Sequence, residues 1–174
     1  GVLVISDIIV KSDKGWYVYE VKSSASLADY HINDTAIQYY ILTKCGIEVE
    51  DIYVIYLNNK YVRQGDIDIN QLFTIESVKE KVLEIQGFTE SSINKFKKLL
   101  SEKFVPEIDI GPHCNDPFKC DFYGHCRKNI PDYSVFDLSR IGNKAFELYK
   151  KGITEIKDIP DDIKLSDNQQ IERK

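Results

Sequence analysis

The sequence predicts an α/β fold: a mixed central sheet flanked by helices, followed by a cysteine-bearing loop and a small helical C-terminal unit. Three observations carry that expectation. Two β-branched and aromatic runs, Val2 to Val10 and Trp16 to Val21, are separated by the turn-prone Ser12-Asp13-Lys14-Gly15. A helical pattern and then the almost purely apolar run Ile52 to Leu57 follow, which sets the order β-β-α-β. Beyond Pro106 regular periodicity stops, and three of the four cysteines fall between Cys114 and Cys126.

The first two runs read as neighbouring strands of a hairpin. Asn33 or Asp34 is expected to cap a helix through Cys45, with Ile37, Tyr40, Ile41 and Cys45 on its packing face and Gly46 closing it. Ile52 to Leu57 suits a strand buried on both faces, and Asn58-Asn59 a two-residue turn into Tyr61-Val62-Arg63. Ser77 to Gln86 and Ser91 to Lys103 have helical periodicity, the second through Ile93, Phe96, Leu99 and Leu100. Pro106 to Pro131 is too irregular for regular elements and needs another source of order. Ser134 to Lys151 reads as one helix, with Leu138, Ile141, Ala145 and Leu148 on one side and Gly152 at its end. The expected domains are therefore 1-131, including the cysteine segment at about 106-131, and a helical unit over 132-174.

The chain has 174 residues, 43% hydrophobic and 29% charged, which is ordinary for one folded domain with a small appendage. No run approaches the roughly 18 apolar residues that cross a bilayer. The expectation is a soluble cytoplasmic protein with no membrane partner. With no Met, Gly1-Val2-Leu3-Val4 at one end and Gln169 to Lys174 at the other, it looks like an excised piece of a longer polypeptide. The net charge of −5 does not advertise a nucleic-acid binder. Metal-holding carboxylates are themselves acidic, however, so local clusters matter more: Lys95, Lys97, Lys98 and Lys103, and Lys144, Lys150 and Lys151. Each is either a phosphate-facing patch or a solvated helix face.

Glu20-Val21-Lys22 on a strand places the Glu and Lys side chains on one face, because strand side chains alternate with period two. Asp7 lies on the preceding strand, so a hairpin can bring its carboxylate beside that of Glu20. Hard cations such as Mg2+ or Mn2+ are held by one or two carboxylates plus water and substrate phosphate. Asp7 and Glu20 supply such oxygens, and the backbone carbonyl of Val21 can add another. A bound ion acidifies a coordinated water and polarises a phosphoryl group, while Lys22 orients the nucleophile or stabilises the developing charge. The expected chemistry is phosphodiester hydrolysis. A solvated cross-strand charge cluster is the alternative, and the apolar setting of Ile5, Ile8, Ile9, Tyr17, Tyr19 and Val21 weighs against it. Gln38, on the helix that follows, either orients the metal-bound water or the lysine, or is one polar residue of an amphipathic helix.

Cys114, Cys120 and Cys126 give a C-x5-C-x5-C spacing, unlike the paired CxxC of a zinc ribbon. Clustered thiols in an intracellular chain point to metal rather than disulfides. Iron-sulfur clusters normally use four Cys. The fourth ligand is expected outside this fragment, with Cys45 read as a core residue. His113 or His125 could complete a Zn2+ site instead, and a metal-free segment packed on its aromatics is the third reading.

The run Ser6-Asp7, then Trp16 to Ser24, then Gln38-Tyr39-Tyr40, then the three cysteines, resembles the RecB-type branch of the PD-(D/E)xK nuclease superfamily. The likeness is closest to uncharacterised bacterial proteins in which such a domain precedes a DnaQ-like exonuclease domain. It is also similar to CRISPR-associated exonucleases with an iron-sulfur cluster. The resemblance covers nearly the whole chain, including Tyr61 to Gly65. It implies a restriction-endonuclease-like sheet, metal ligation by Asp7 and Glu20, catalysis by Lys22 and a supporting role for Gln38. It also implies a 4Fe-4S cluster on Cys114, Cys120 and Cys126, and DNA as partner, single-stranded or with duplex ends. Three departures stand out: the family's upstream acidic or His residue and first cluster cysteine would precede Gly1, Leu42 occupies the usual Tyr position, and the cysteine spacing differs. Leu148 to Pro160 resembles a helix-hairpin-helix. The other functional classes considered are a catalytically inactive nucleic-acid-binding domain and a structural interaction domain of the same fold.

Overall fold

The chain divides into two compact units, Gly1–Val105 and Pro106–Lys174, and the structure, a computed structural model, describes residues 1–173. The cysteine segment thus clusters with the helical C-terminal part. In the first unit, strands Ile8–Lys11 (β1) and Trp16–Val21 (β2) form the expected hairpin, tied by Ser12, whose N–H donates to the Gly15 carbonyl and whose Oγ accepts from the Gly15 N–H. Helix Asp29–Lys44 (α1) then crosses over to strand Val49–Leu57 (β3), which pairs parallel with β2. A parallel neighbour requires such a crossover. Helix Ile69–Leu72 (α2), strand Phe73–Ser77 (β4), helix Lys79–Glu84 (α3) and helix Gln86–Ser101 (α4) complete the unit. The result is a four-stranded mixed sheet in the order β1-β2-β3-β4, with both outer pairs antiparallel.

Several local expectations are corrected. The first strand begins at Ile8 rather than Val2. Helix α1 starts a full turn before Asn33, because His31 Nδ1 accepts the amide of Ala28, the residue ahead of the helix, and Asp29 sits favourably in the first turn. Its packing face is Ile32, Thr35, Ala36 and Leu42, while Ile37 and Cys45 are exposed. The short side chains of Thr35 and Ala36 let the helix approach the sheet, and Thr35 Oγ1 donates back to the His31 and Ile32 carbonyls, so its burial leaves no polar atom unmatched. Gly46 closes the helix as expected. At φ 80° it lets Ile47 N–H reach the Leu42 carbonyl and its own N–H the Thr43 carbonyl.

Strand β3 is buried on one face only. Ile52 and Val54 join Val18, Ile32, Ala36, Leu42, Val78 and Val82 in the core, while Tyr53 and Ile55 are half-buried on the other face and Leu57 is exposed. Each fully buried Val or Ile contributes about 1.5–3 kcal/mol. Tyr61-Val62-Arg63 forms no strand. Asn58 instead bonds back to the α2 segment through its N–H to Leu72 and its side chain to Gln71, and β4 supplies the fourth strand. In α4 only Ile93 of the expected face is buried, with Phe96 and Leu100 exposed.

The second unit is built from short pieces: 3-10 turns at Pro112–Cys114, Val135–Asp137 and Ile156–Asp158, and helices Tyr123–Cys126 (α5), Lys144–Lys150 (α6) and Asp167–Glu172 (α7). The single helix expected over Ser134 to Lys151 is broken, since Arg140 and Gly142 adopt positive φ. Leu138, Ala145 and Leu148 nevertheless share one core with Val135, Ile156, Ile159 and Leu165, with Ile141 packed against it. Gly152, at φ 80°, repeats the α1 ending, with Ile153 N–H on the Leu148 carbonyl and its own N–H on that of Tyr149. Those loop amides are therefore already engaged. No helix among the described residues is long and apolar enough to cross a membrane.

Candidate active site

Strand β2 sends Val18 and Glu20 toward α1 and Tyr17, Tyr19 and Val21 to the opposite side, as period two demands. Glu20 is only 7% exposed. A buried carboxylate needs partners, and both of its oxygens have one: Lys22 Nζ lies 2.6 Å from Oε1, and Gln38 Nε2 donates to Oε2 at 2.7 Å. Gln38 is itself buried and is oriented from the far side by Ser6, whose Oγ donates to Gln38 Oε1 at 2.8 Å. The chain Ser6, Gln38, Glu20, Lys22 thus joins the residue before Asp7, helix α1 and strand β2 in one network.

Asp7 precedes β1. Extending the register by which Ile8 faces Tyr19 and Ile9 faces Val18 sets Asp7 directly opposite Glu20. Directly opposed residues have Cβ atoms about 4.5–5.5 Å apart. The Asp7 side chain is exposed, and its carboxylate accepts the Val21 N–H at 2.7 Å, which ties it to the residue after Glu20. Val21, whose carbonyl is the expected third oxygen, ends β2.

Lys22 has a second carboxylate partner, Asp34, at 2.5 Å. Burial opposes the charge on Lys22, but the hydrogen bonds to Asp34 and Glu20 outweigh it and hold the ammonium above its ordinary pKa. Sequence reasoning saw Asp34 only as a helix cap and missed this role. It also missed His31, fully buried two residues before Asn33. Burial first, and the Lys22 charge second, push the His31 imidazole below its usual pKa. Its Nδ1 accepts a backbone N–H, so the neutral ring carries its proton on Nε2. The signal that could have found His31 is its place three residues after the helix-capping position.

The donor chemistry of Asp7, Glu20 and the Val21 carbonyl fits a hard divalent cation. Among the described residues no three His, Cys, Asp or Glu side chains converge as a ready metal-holding group. Cys114 is buried beside Ile110 and Phe146, whereas Cys120 and Cys126 are exposed, and all four cysteines are free. The link between the first two is through the backbone, Cys120 N–H to the Cys114 carbonyl at 2.9 Å. Cys45 lies on the exposed side of α1, away from the packing role expected of it. The lysines at 95, 97, 98 and 103 are solvent-facing, as are Lys150 and Lys151, while Lys144 binds the Lys164 carbonyl. Comparison with known proteins finds no matching family model, no matching curated protein and no matching solved structure.

Proposed function

We propose that this chain is the catalytic part of a metal-dependent nuclease of the PD-(D/E)xK type, hydrolysing DNA phosphodiester bonds. One observation carries the reading: a buried carboxylate, Glu20, is bonded to Lys22, while the Asp7 carboxylate accepts the N–H of the adjacent Val21. Desolvating a charged pair is seldom recovered in full by its own attraction, and apolar residues would fill the same space more stably. Function is the better account of its presence.

Asp7, Glu20 and the Val21 carbonyl would hold Mg2+ or Mn2+, which supplies an acidified water and Lewis-acid polarisation of the phosphoryl group. The remaining work falls to the chain. Gln38 fixes the plane of the Glu20 carboxylate, and Ser6 fixes Gln38. Lys22 points a full positive charge at the spot where negative charge develops. Oε1 of Glu20 carries Lys22, so ligation there requires the ammonium to lean on Asp34 alone. A centre on Cys114, Cys120 and Cys126, whether 4Fe-4S or Zn2+, would require the loop to bring the two exposed thiols to the buried one and to recruit a fourth ligand.

The test uses the longest natural form of the protein, purified without oxygen, with labelled single-stranded DNA and duplexes with free ends. Mn2+-dependent cleavage is expected, falling by about 100-fold or more in Lys22→Ala. Cleavage indifferent to Lys22→Ala removes the reading. The second reading, a non-catalytic nucleic-acid-binding or interaction domain, is favoured by one observation, the engagement of both Glu20 oxygens. Salt-sensitive DNA binding without cleavage would select it.

A further inference from the structure

The C-terminal unit holds a second arrangement that the Glu20 site does not use. Lys119 Nζ lies 4.3 Å from the centre of the Tyr123 ring, and the Arg127 guanidinium carbon lies 4.2 Å from that same centre. Arg127 also lies 3.8 Å from the centre of the Phe136 ring, which is held in turn by Phe146 and Tyr149. Tyr123 and Arg127 are brought together by the single turn α5, which spaces them at i and i+4.

Two features make this more than packing. Among the described residues neither Lys119 nor Arg127 forms an ion pair with a carboxylate, and the buried Nε of Arg127 has no hydrogen-bond partner. A guanidinium with rings against its faces can be addressed only along its edge, where its donors lie in a fork matched to two oxygens of one anion. Arg127 also lines a cleft of about 520 Å³ with Asn115, Asp116, Phe136, Asn143 and Phe146. That volume lies in the range of small-ligand sites.

We propose that this cleft takes one nucleotide unit, with its phosphate on the edge of Arg127 and Lys119 adding positive charge beside the stack. A bare anion is a poorer fit, because Asp116 on the same lining repels it. A nucleotide whose base carries an amino group offers that carboxylate a donor, and Asn115 and Asn143 have both donors and acceptors for a base edge. A free mononucleotide and a strand both carry such a phosphate, and the recognising chemistry is the same. The inference stands whether or not Glu20 and Lys22 cut DNA.

The test is done with the full chain and no divalent metal, so that binding is read apart from cleavage. The Arg127 Nε–H resonance, assigned with Arg127→Lys, is followed while 5′-dCMP, a single-stranded deoxycytidine octamer or inorganic phosphate is added. The signal is expected to shift saturably with dCMP or the octamer, and less with phosphate. Saturation by the octamer alone assigns a strand, and saturation by dCMP assigns a free nucleotide. Arg127→Lys, which keeps the charge but loses the fork and with it the Nε–H signal, should weaken binding at least about tenfold when affinity is read by isothermal titration calorimetry. Asn143→Ala, outside the aromatic stack, should weaken it several-fold and serves if Arg127 variants fold poorly. An unmoved Arg127 signal with every probe, or equal affinity in wild type and both variants, overturns the proposal.

Discussion

Lys22 and Asp34 stand twelve positions apart, one just past the end of β2 and one in the second turn of α1, yet Nζ and Oδ2 meet at 2.5 Å. Asp34 is the more exposed partner, at 44% against 10% for the Glu20 side chain. Lys22 therefore spans from an inner carboxylate to an outer one. Asp34→Asn keeps an acceptor and removes the charge. Exposed pairs contribute about 0.2–1 kcal/mol, so urea unfolding should show a loss of that size. Cleavage should fall through kcat with KM little changed. A stability loss of about 3 kcal/mol or more, the cost of an orphaned buried charge, would show instead that Asp34 is structural.

Among the described residues Gln38 is the one side-chain partner of Glu20 Oε2, and it also accepts from Ser6. Replacing it with Leu strands both groups, at a cost of about 1–3 kcal/mol. Gln38→Glu sets a second carboxylate against Glu20. Its destabilisation in urea should exceed that of Gln38→Leu, because a like charge is added to the buried Glu20 carboxylate. A smaller loss than that of Gln38→Leu would mean that the two carboxylates do not face each other in the variant.

Gly15 answers to space rather than to conformational freedom. Trp16 N–H donates to the Glu48 carbonyl at 2.8 Å, and a Cβ on Gly15 would run into that same oxygen. Gly15→Ala should lower stability by about 1–3 kcal/mol, the usual cost of overpacking. Gly87, inside α4 with nothing within 4 Å of an added Cβ, is the control. There the change to Ala should stabilise by about 0.4–1 kcal/mol. Thermal melts of the two variants, moving in opposite directions, check both.

Tyr53 holds its proton late. A hydrogen bond to Asp51, then burial and the Asp51 charge, raise its pKa from 10.0 to about 12. The folded chain thus keeps a proton that the unfolded chain gives up first, so the stabilisation is complete below pH 10 and is lost as pH rises through about 12. Absorbance titration of tyrosinate should show a late component that disappears in Tyr53→Phe. Its survival in that variant would assign the late proton to another ring.

Much of the frame was legible in the residues themselves. The hairpin turn, the Trp16–Val21 strand, the crossover helix and its Gly46 ending follow from short-range signals that act within a few positions. Period two on β2 put Glu20 and Lys22 on one side, and Gln38 does meet Glu20. What could not be read was which of two apolar stripes on α1 faces the sheet, because Ile37, Tyr40 and Ile41 are no less apolar than Ile32, Ala36 and Leu42. Steric approach at Thr35 and Ala36 decided it. Asp34 was misread for the same reason: its partner is chosen by the docking of the helix, not by its neighbours in sequence. The broken helix after Ser134 shows the converse, for the buried set Leu138, Ala145 and Leu148 held while the backbone joining them did not stay helical.

The one-sided cover of β3 makes adjacent positions unequal witnesses to selection. Ile52 and Val54 answer to close-packed neighbours, whereas Tyr53 and Ile55, which alternate with them, answer to a wetter side. In a saturation library of this strand, tolerated polar replacements should rise and fall with every second residue, a sawtooth in variant fitness traced by the pleat.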